Sequence, residues 1–353
     1  MTTQNVPKVE PSSTVNVLFT GGGRRVELLR AFLRARRSLG LAGKIVASDV
    51  DPLAPAFQVA DVSVLVPRSD DPGYIPRLLE VCREHSVDVV FPVIDPDIPL
   101  LAQAAGEFQA LGVRVGVMGS QSAQAVSDKW LTAKVFAEAG VPAPYSWLPE
   151  DLPDAESISF PLHLKPRQGS ASKHTNRVDT WDELQYLLER TPQPVIEQYL
   201  DGPEVTCDLA YDFDGRFLGM CQRRRIEVRS GEVQKGVTVW HPDIAEYCLK
   251  TGECLKARGP ITIQCLFHEG VPRFTEVNGR FGGGLPLAVA AGLDFPAWYL
   301  ALVTGRQPDL PAPGEYRRNL FMTRCDESFF LDPGSDQIVT PILGERGPWL
   351  QES

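Results

Sequence analysis

Glu276-Val277-Asn278-Gly279-Arg280-Phe281-Gly282-Gly283-Gly284 follows on from an alternating segment, Arg273 to Asn278, that reads as a β-strand. On a strand, residues two apart share a face, so Glu276, Asn278 and Arg280 project together. A carboxylate, an amide oxygen and a guanidinium then stand side by side. Oxygen ligands suit Mg²⁺, which keeps its other positions for water and phosphate. A guanidinium suits phosphate through paired hydrogen bonds, and glycines let backbone approach a charged ligand with no Cβ in the way. A solvated surface strand with a flexible turn explains any one of these residues better than it explains the aligned trio followed by three glycines.

The 353 residues are 43% hydrophobic and 23% charged, ordinary for a globular chain of two or three domains. A net charge of -10 argues against general binding to nucleic acid or to an anionic membrane. No apolar run reaches transmembrane length, and the polar start, residues 1–14, reads as a disordered leader without the apolar core of a signal peptide. Seven scattered cysteines with no C-x-x-C read as buried thiols of a reducing cytoplasm, not as disulfides or a zinc site.

In the amino-terminal part, a short apolar strand over 15–20 runs into Gly21-Gly22-Gly23-Arg24-Arg25 and then a helix to about Leu39. Strands over 44–49, 62–66, 87–93 and 113–117 alternate with helical segments near 73–85 and 96–111, the pattern of a doubly wound parallel sheet. Gly21-x-Gly23-x-x-Val26, with Asp49 ending the next strand, half-matches a dinucleotide fingerprint. The third glycine is absent and Arg24-Arg25 fills the turn. A tight strand-to-helix turn facing an anion, with Arg24 adding charge, is therefore preferred to NAD binding.

From Ser120 the pattern changes. Ser127 or Asp128 caps a helix that carries Lys129 and ends near Gly140. Lys165 lies in an apolar strand over 160–166, where a lysine is costly without an anion. The small, polar residues 167–172, with Gly169 and Ser170, read as a loop. A helix over 179–190 and strands over 195–200, 204–212, 217–225, 261–267 and 273–278 follow, with hairpin turns at Asp214-Gly215 and Glu269-Gly270. This half reads as an α+β unit of antiparallel strands. Residues 306–315 form a proline-rich loop and 332–353 a loosely packed tail. The densest basic run, from Arg223 through Arg225 to Lys235, reads either as a solvated hairpin or as a segment turning Arg225 and Lys235 towards an anion. The five histidines read as structural or surface residues, and Trp130 and Trp181 as core.

Together these spaced residues resemble the ATP-grasp superfamily, and within it the stand-alone proteins similar to the carbamoyl-phosphate synthase large subunit. The resemblance covers roughly residues 15–330. It is carried by Thr20-Gly21-Gly22-Gly23-Arg24-Arg25, Ser48-Asp49-Val50-Asp51-Pro52-Leu53-Ala54 and Pro92-Val93-Ile94-Asp95 in the first part. Ser127-Asp128-Lys129, Lys165 with Gly169-Ser170, Glu197-Gln198-Tyr199-Leu200, and Gln264, Glu276, Asn278 and Arg280 carry it in the second. It implies an α/β plus α+β architecture: a pre-ATP-grasp doubly wound parallel sheet (15–120) followed by a two-subdomain ATP-grasp fold, with a small lid subdomain and its linker (121–192) and a large subdomain (193–331). Gln264 stands where the family often has an acid, which lowers the charge of the metal site. The single ATP-grasp unit excludes both phosphorylations of a full carbamoyl-phosphate synthase in this polypeptide.

The resemblance implies an ATP-dependent ligase that activates a small, amino-acid-like carboxylate as an acyl phosphate and couples it to an amine. The implied ATP contacts are Lys129, Lys165, Gly169 and Ser170 at the phosphates, Glu197, Gln198, Tyr199 and Leu200 at adenine, and Glu204 at the ribose. Gln264, Glu276 and Asn278 are the implied Mg²⁺ ligands, with Mn²⁺ as a substitute ion, and Arg280, Arg225 and Lys235 the catalytic cations. A homodimer is compatible with the resemblance. Three alternatives stand beside it: formation of a carbamoyl or acyl phosphate without ligation, a non-catalytic nucleotide-binding protein, and, last, NAD(P)-linked chemistry at the amino-terminal sheet.

Overall fold

The structure, a computed structural model, describes residues 12–169, 174–229, 231–331 and 338–339. The expected leader before residue 12, Ser170, and all of the expected tail but residues 338–339 lie outside the described residues. Valine-rich runs build β1 (Val17–Thr20), β2 (Ile45–Asp49), β3 (Val62–Leu65), β4 (Val89–Pro92) and β5 (Arg114–Val115). They form a parallel sheet ordered β3-β2-β1-β4-β5. Helices cover its faces, which is why the central strands are apolar throughout: α1 (Val26–Ser38), α2 (Tyr74–Glu84), α3 (Asp97–Gln103) and α4 (Ala105–Ala110). The helix expected over 96–111 is thus two, parted at Ala104, whose φ of -86° and ψ of 4° leave the helical region. Ser12 to Thr14, counted with the leader, are fixed in place: Ser12 N–H donates to the Thr304 carbonyl and Thr14 bridges to Ala42.

The winding of the sheet reverses between β1 and β4, the place where open α/β sheets form a ligand crevice. The loops after those two strands carry Gly21 to Arg25 and Asp95. Asp49, the acid of the half-fingerprint, is used within this turn: its carboxylate accepts the Gly23 N–H at 2.7 Å. Gly21 and Gly23 have φ of 63° and 44°, conformations that glycine adopts without a Cβ penalty.

After α5 (Ser120–Val126) and α6 (Lys129–Glu138) comes a small antiparallel sheet of β6 (Ser146–Trp147), β7 (Leu162–Pro166), β8 (Asn176–Val178) and β9 (Pro194–Gln198), ordered β6-β9-β7-β8. With α7 (Trp181–Leu188) it encloses its own core of Leu162, Leu164, Val178, Leu184 and Ile196. Two expected boundaries move. The strand β9, expected to open the large subdomain, pairs with β6 and β7 and so completes the small sheet. Helix α6, expected in the lid, places Phe136 within 6.0 Å of Phe274 on the large sheet.

That large sheet comprises β10 (Glu204–Tyr211), β11 (Phe217–Arg229), β12 (Glu232–Val239), β13 (Pro260–His268), β14 (Val271–Asn278) and β15 (Phe321–Thr323), ordered β14-β13-β10-β11-β12-β15. Its apolar face, with Cys207, Leu209, Ile263, Cys265 and Val277, is covered by α6 and by α8 (Pro242–Cys254). Its other face looks into a cleft. Beyond β14, the helices α9 (Leu285–Ala290) and α10 (Phe295–Val303) join a second core shared with the amino-terminal domain. Phe281 is planted there, 5.6 Å from Phe32, 5.3 Å from Phe91 and 5.6 Å from Tyr299 between ring centroids. The residue beside Arg280 thereby holds the glycine stretch against the crevice of the parallel sheet.

Asp97, fully buried at the start of α3, binds this crevice together. One of its oxygens accepts the Thr20 hydroxyl at 2.6 Å and the Tyr74 hydroxyl at 2.7 Å; the other has no partner among the described residues. Burial, partly offset by those two hydroxyls, pushes its pKa up to about 6 from 3.8. A carboxyl whose folded pKa is raised stabilises the fold fully below its unfolded pKa, and that contribution is lost as pH rises through the folded value. The shift of about 2 units corresponds to roughly 3 kcal/mol. Relative to Asp97→Asn, the wild type is expected to lose stability between about pH 4 and pH 6; chemical denaturation of both proteins across that range measures the difference, and parallel pH curves would contradict it.

Candidate active site

The polar face of the large sheet follows from strand register. Glu204, Thr206 and Asp208 alternate along β10. Thr206 is paired with Arg223 on β11 and with Gln264 on β13; Gln264 is paired with Glu276, and Thr262 with Asn278, on β14. Because side chains on a strand alternate, these residues point the same way. The face forms one wall of a cleft of about 520 Å³. Lys129 on α6, with Lys165, Gly169 and the hinge from Glu197 to Leu200 on the small subdomain, forms another wall, and Arg25 and Asp95 close the amino-terminal end.

The cleft gathers Lys129, Lys165, Gly169, Glu197, Gln198, Tyr199, Leu200, Glu204, Arg225, Gln264, Glu276, Asn278 and Arg280 of the residues singled out from the sequence. Ser170 lies outside the described residues. Lys235 is a correction. Its neighbour Gly236 is the cross-strand partner of Arg225, so alternation turns Lys235 to the opposite face. There it meets Glu227 at 2.6 Å and is half exposed. Arg24 is a second correction: its side chain is 84% exposed and pairs with Asp326, whereas Arg25, 18% exposed, lines the cleft.

Nearly every cation of the cleft already has an acid. Lys165 meets Glu197 at 2.7 Å, Arg225 meets Glu204 at 2.6 Å, Arg25 meets Glu232 at 3.0 Å, and Arg280 binds Asp95 through two hydrogen bonds of 2.7 and 2.9 Å. Burial alone would raise the Glu197 pKa, but Lys165 and His163 more than offset it and its pKa falls. Arg280 is buried, which opposes its charge, yet Asp95 overrides this and raises its pKa. Lys129 differs. It has no ion-pair partner among the described residues, donates to the Gly169 carbonyl at 2.9 Å, and has its pKa lowered by burial. Asp128 organises this corner, accepting the Trp130 and Leu131 N–H groups as the helix cap while binding Arg167 at 2.6 Å. The loop that starts at Arg167 is thereby tied to the start of α6.

The glycines act differently from expectation. A Cβ on Gly284 or Gly282 would overlap the Arg223 guanidinium or the Asp208 carboxylate, and one on Gly283 would overlap Glu232 and Arg25. The close partners are the protein's own charges. Arg223 was visible in the basic run, but its burial and its ion pair with Asp208 at 2.6 Å depend on the register of strands distant in sequence. Asp95, Glu232 and His163 also line the cleft; in the sequence Asp95 stood out only within the Pro92–Asp95 stretch that carries the resemblance, His163 was grouped with the structural or surface histidines, and Glu232 was not marked.

Glu276, Gln264 and Asn278 offer one carboxylate and two amide groups. Among the described residues no cluster of three His, Cys, Asp or Glu occurs. A hard oxygen set of this kind fits Mg²⁺ carrying water and phosphate, and lacks the nitrogen and sulfur ligands of zinc.

Residues 17–116 match the family described as the PylC-like N-terminal domain, and residues 190–325 match the family described as ATP-grasp in the biosynthetic pathway with Ter operon. The architecture is that of an ATP-grasp fold preceded by a region similar to the PylC-like N-terminal domain. Among curated proteins it is 32% identical to D-alanine–D-alanine ligase of Corynebacterium urealyticum over 38% of this chain and 39% of that one. It is 29% identical to the Mycobacterium avium enzyme of the same name over 49% and 53%, so the chain matches about half or less of these relatives' length. Vancomycin B-type resistance protein VanB of Enterococcus faecalis is 27% identical over 62% of this chain and 72% of that one. Solved structures share the fold: biotin carboxylase of Campylobacter jejuni has a TM-score of 0.69 at 17% identity, over 87% of this chain and 74% of that one. An L-amino acid ligase of Bacillus licheniformis has 0.65 at 19%, over 84% and 75%.

Losing one member of a buried ion pair strands the other. Lys165→Met is therefore expected to destabilise the protein by roughly 3 kcal/mol, and adding Glu197→Gln to recover most of that loss. Denaturant titrations of the single and double variants check this; a double variant no more stable than the single one would contradict it.

Proposed function

We propose that the protein is an ATP-dependent ligase that activates a small carboxylate as an acyl phosphate and couples it to an amine. The observation that carries this reading is the register that sets Gln264, Glu276 and Asn278, with Arg280 just beyond the strand end, on one wall of a cleft whose opposite wall holds Lys129 and Lys165. The relatives named as D-alanine–D-alanine ligases support it. A carboxylate oxygen of the acid attacks the γ-phosphorus, and ADP departs with the bridging oxygen. The amine nitrogen then attacks the acyl carbon; the carbon–oxygen bond to phosphate breaks, and the nitrogen's proton leaves with hydrogen phosphate.

Such chemistry requires charge neutralisation and alignment more than covalent help from the protein. Lys129, the cation without an acid partner, is placed to take phosphate charge, and Lys165 shares that wall. The Glu197 to Leu200 hinge offers its backbone to adenine, and Glu204, held by Arg225, faces the ribose. Glu276, Gln264 and Asn278 would hold the metal, proposed as Mg²⁺ with Mn²⁺ as substitute, which would supply positive charge to offset that of the phosphates. Arg280, oriented by Asp95, stabilises the moving phosphoryl group, a role whose loss typically costs on the order of 10²–10³ in rate. The free thiols of the seven cysteines fit a reducing, cytoplasmic setting. No described helix is long and apolar enough to cross a membrane. A homodimer remains part of the proposal, to be read from mass in solution.

ADP release is to be followed with Mg²⁺-ATP, pooled small acids and pooled amines. Release that requires both pools, and that Glu276→Ala nearly abolishes in a folded protein, is the expected result. Release with an acid or bicarbonate alone would replace this reading with acyl- or carbamoyl-phosphate formation.

A further inference from the structure

Strand register sets three side chains in one row across the small sheet. His163 on β7 is paired with Arg177 on β8 and with Glu197 on β9. Directly opposed residues on neighbouring strands share a face, and Lys165, two residues further along β7, joins them. His163, Lys165 and Glu197 all line the cleft. Glu197 is buried, and two basic side chains address the same oxygen of its carboxylate. Lys165 Nζ lies 2.7 Å from Oε2; His163 Nδ1 lies 3.7 Å from it, just beyond hydrogen-bonding distance. The other charged groups around His163 are engaged elsewhere. Arg177 pairs with Asp179 at 2.9 Å and lies over the ring of Tyr199, which meets the His163 ring in a T-shaped arrangement. Lys129 donates to the Gly169 carbonyl. Among the described residues, Lys165 and His163 are therefore the only bases paired with Glu197.

We propose that His163 is a positioning residue that takes the place of Lys165 at Glu197 when nucleotide binds, accepting a proton from solvent as it does so. The inference rests on the reading of Lys165 as a phosphate ligand. A phosphate that draws Lys165 competes with Glu197 for the same ammonium group. Glu197 is too buried to be left behind alone, because removing one partner of a buried pair strands the other charge. A neutral imidazole does not supply the missing positive charge; an imidazolium does, with Nδ1–H donating to Oε2. Lys165 and Arg177 both repel an imidazolium, and moving Lys165 towards phosphate removes one of these repulsions. The His163 side chain is 31% exposed, so solvent delivers the proton directly, and no covalent bond of the nucleotide is made or broken. The bound state then holds one proton more than the free state. Affinity is therefore greatest at low pH and falls as pH rises, by up to about tenfold per pH unit.

The test is calorimetric titration of wild type, His163→Asn and His163→Phe with the Mg²⁺ complex of a non-hydrolysable ATP analogue, near neutral pH, in buffers of different ionisation enthalpy. Asn keeps a donor but does not titrate; Phe keeps an aromatic ring against Tyr199. The dependence of the heat on the buffer counts protons, a readout that a merely structural role of His163 leaves unmoved, and comparison with the variants cancels protons exchanged by the nucleotide itself. Wild type is expected to take up a net proton that both variants lack. Its affinity is expected to fall several-fold, up to about tenfold, over one pH unit above neutrality, while theirs stays level. Uptake of this kind without ADP release from any acid and amine upholds the exchange at Glu197 and removes only the ligase reading. Equal proton counts in all three proteins, or binding to wild type with no net uptake, overturns the exchange and leaves the ligase reading to the ADP-release assay. Absence of nucleotide binding by wild type overturns both.

Discussion

Phe281 and Arg280, adjacent in sequence, both leave the end of the large sheet for the amino-terminal domain, and the site depends on how they do so. Phe281 buries its ring among Phe32, Phe91 and Tyr299, a contact driven by removal of a large apolar surface from water. Arg280 binds Asp95 through two hydrogen bonds, a geometry that fixes orientation as well as charge. The first interaction holds the two domains in register. The second uses that register to aim a guanidinium. Without it, the strand of Glu276 and Asn278 and the switch-point crevice would be separate features of separate sheets.

The cleft is built largely from self-neutralised charge. Lys165–Glu197, Arg225–Glu204, Arg25–Glu232 and Arg280–Asp95 are all within hydrogen-bonding distance. Each pair keeps its members charged and oriented, and each lets a charged group enter the cleft by sharing a partner without first creating an isolated buried ion. Lys129 lacks an acid partner among the described residues, and burial lowers its pKa, so it has the most to gain from a phosphate. Arg324 extends this network outwards. It binds Glu27 of α1 at 2.9 Å and the Gly283 carbonyl at 2.7 Å, a further strap between the amino-terminal domain and the glycine stretch.

Much of the fold was legible because periodicity is local. Strand alternation revealed the shared face of Glu276 and Asn278, and the β-α alternation of residues 15–120 revealed the parallel sheet; Arg280 lies beyond the end of β14 and is set by its bonds to Asp95. The cap could be narrowed to Ser127 or Asp128 because capping needs only neighbouring residues, and the structure selects Asp128. What escaped was set by pairing between distant strands. Lys235 was expected beside Arg225, but the partner of Arg225 is Gly236, and a one-residue difference reverses the face. The choice between Arg24 and Arg25 likewise depended on a turn whose direction only the fold decides. The membership of β9 in the small sheet follows from its hydrogen bonds to β6 and β7, and its sequence reads equally well in either sheet. The glycines were recognised as sites of close approach; that they approach Arg223 and Glu232 required the packing itself.

The central claim is that the acid's own oxygen attacks ATP. The most direct measurement is to run the reaction with an acid labelled with ¹⁸O in both carboxylate oxygens and to weigh the phosphate released. Transfer of one labelled oxygen to each phosphate is the result this account predicts. Unlabelled phosphate accompanying ADP, as attack by water would give, would contradict it.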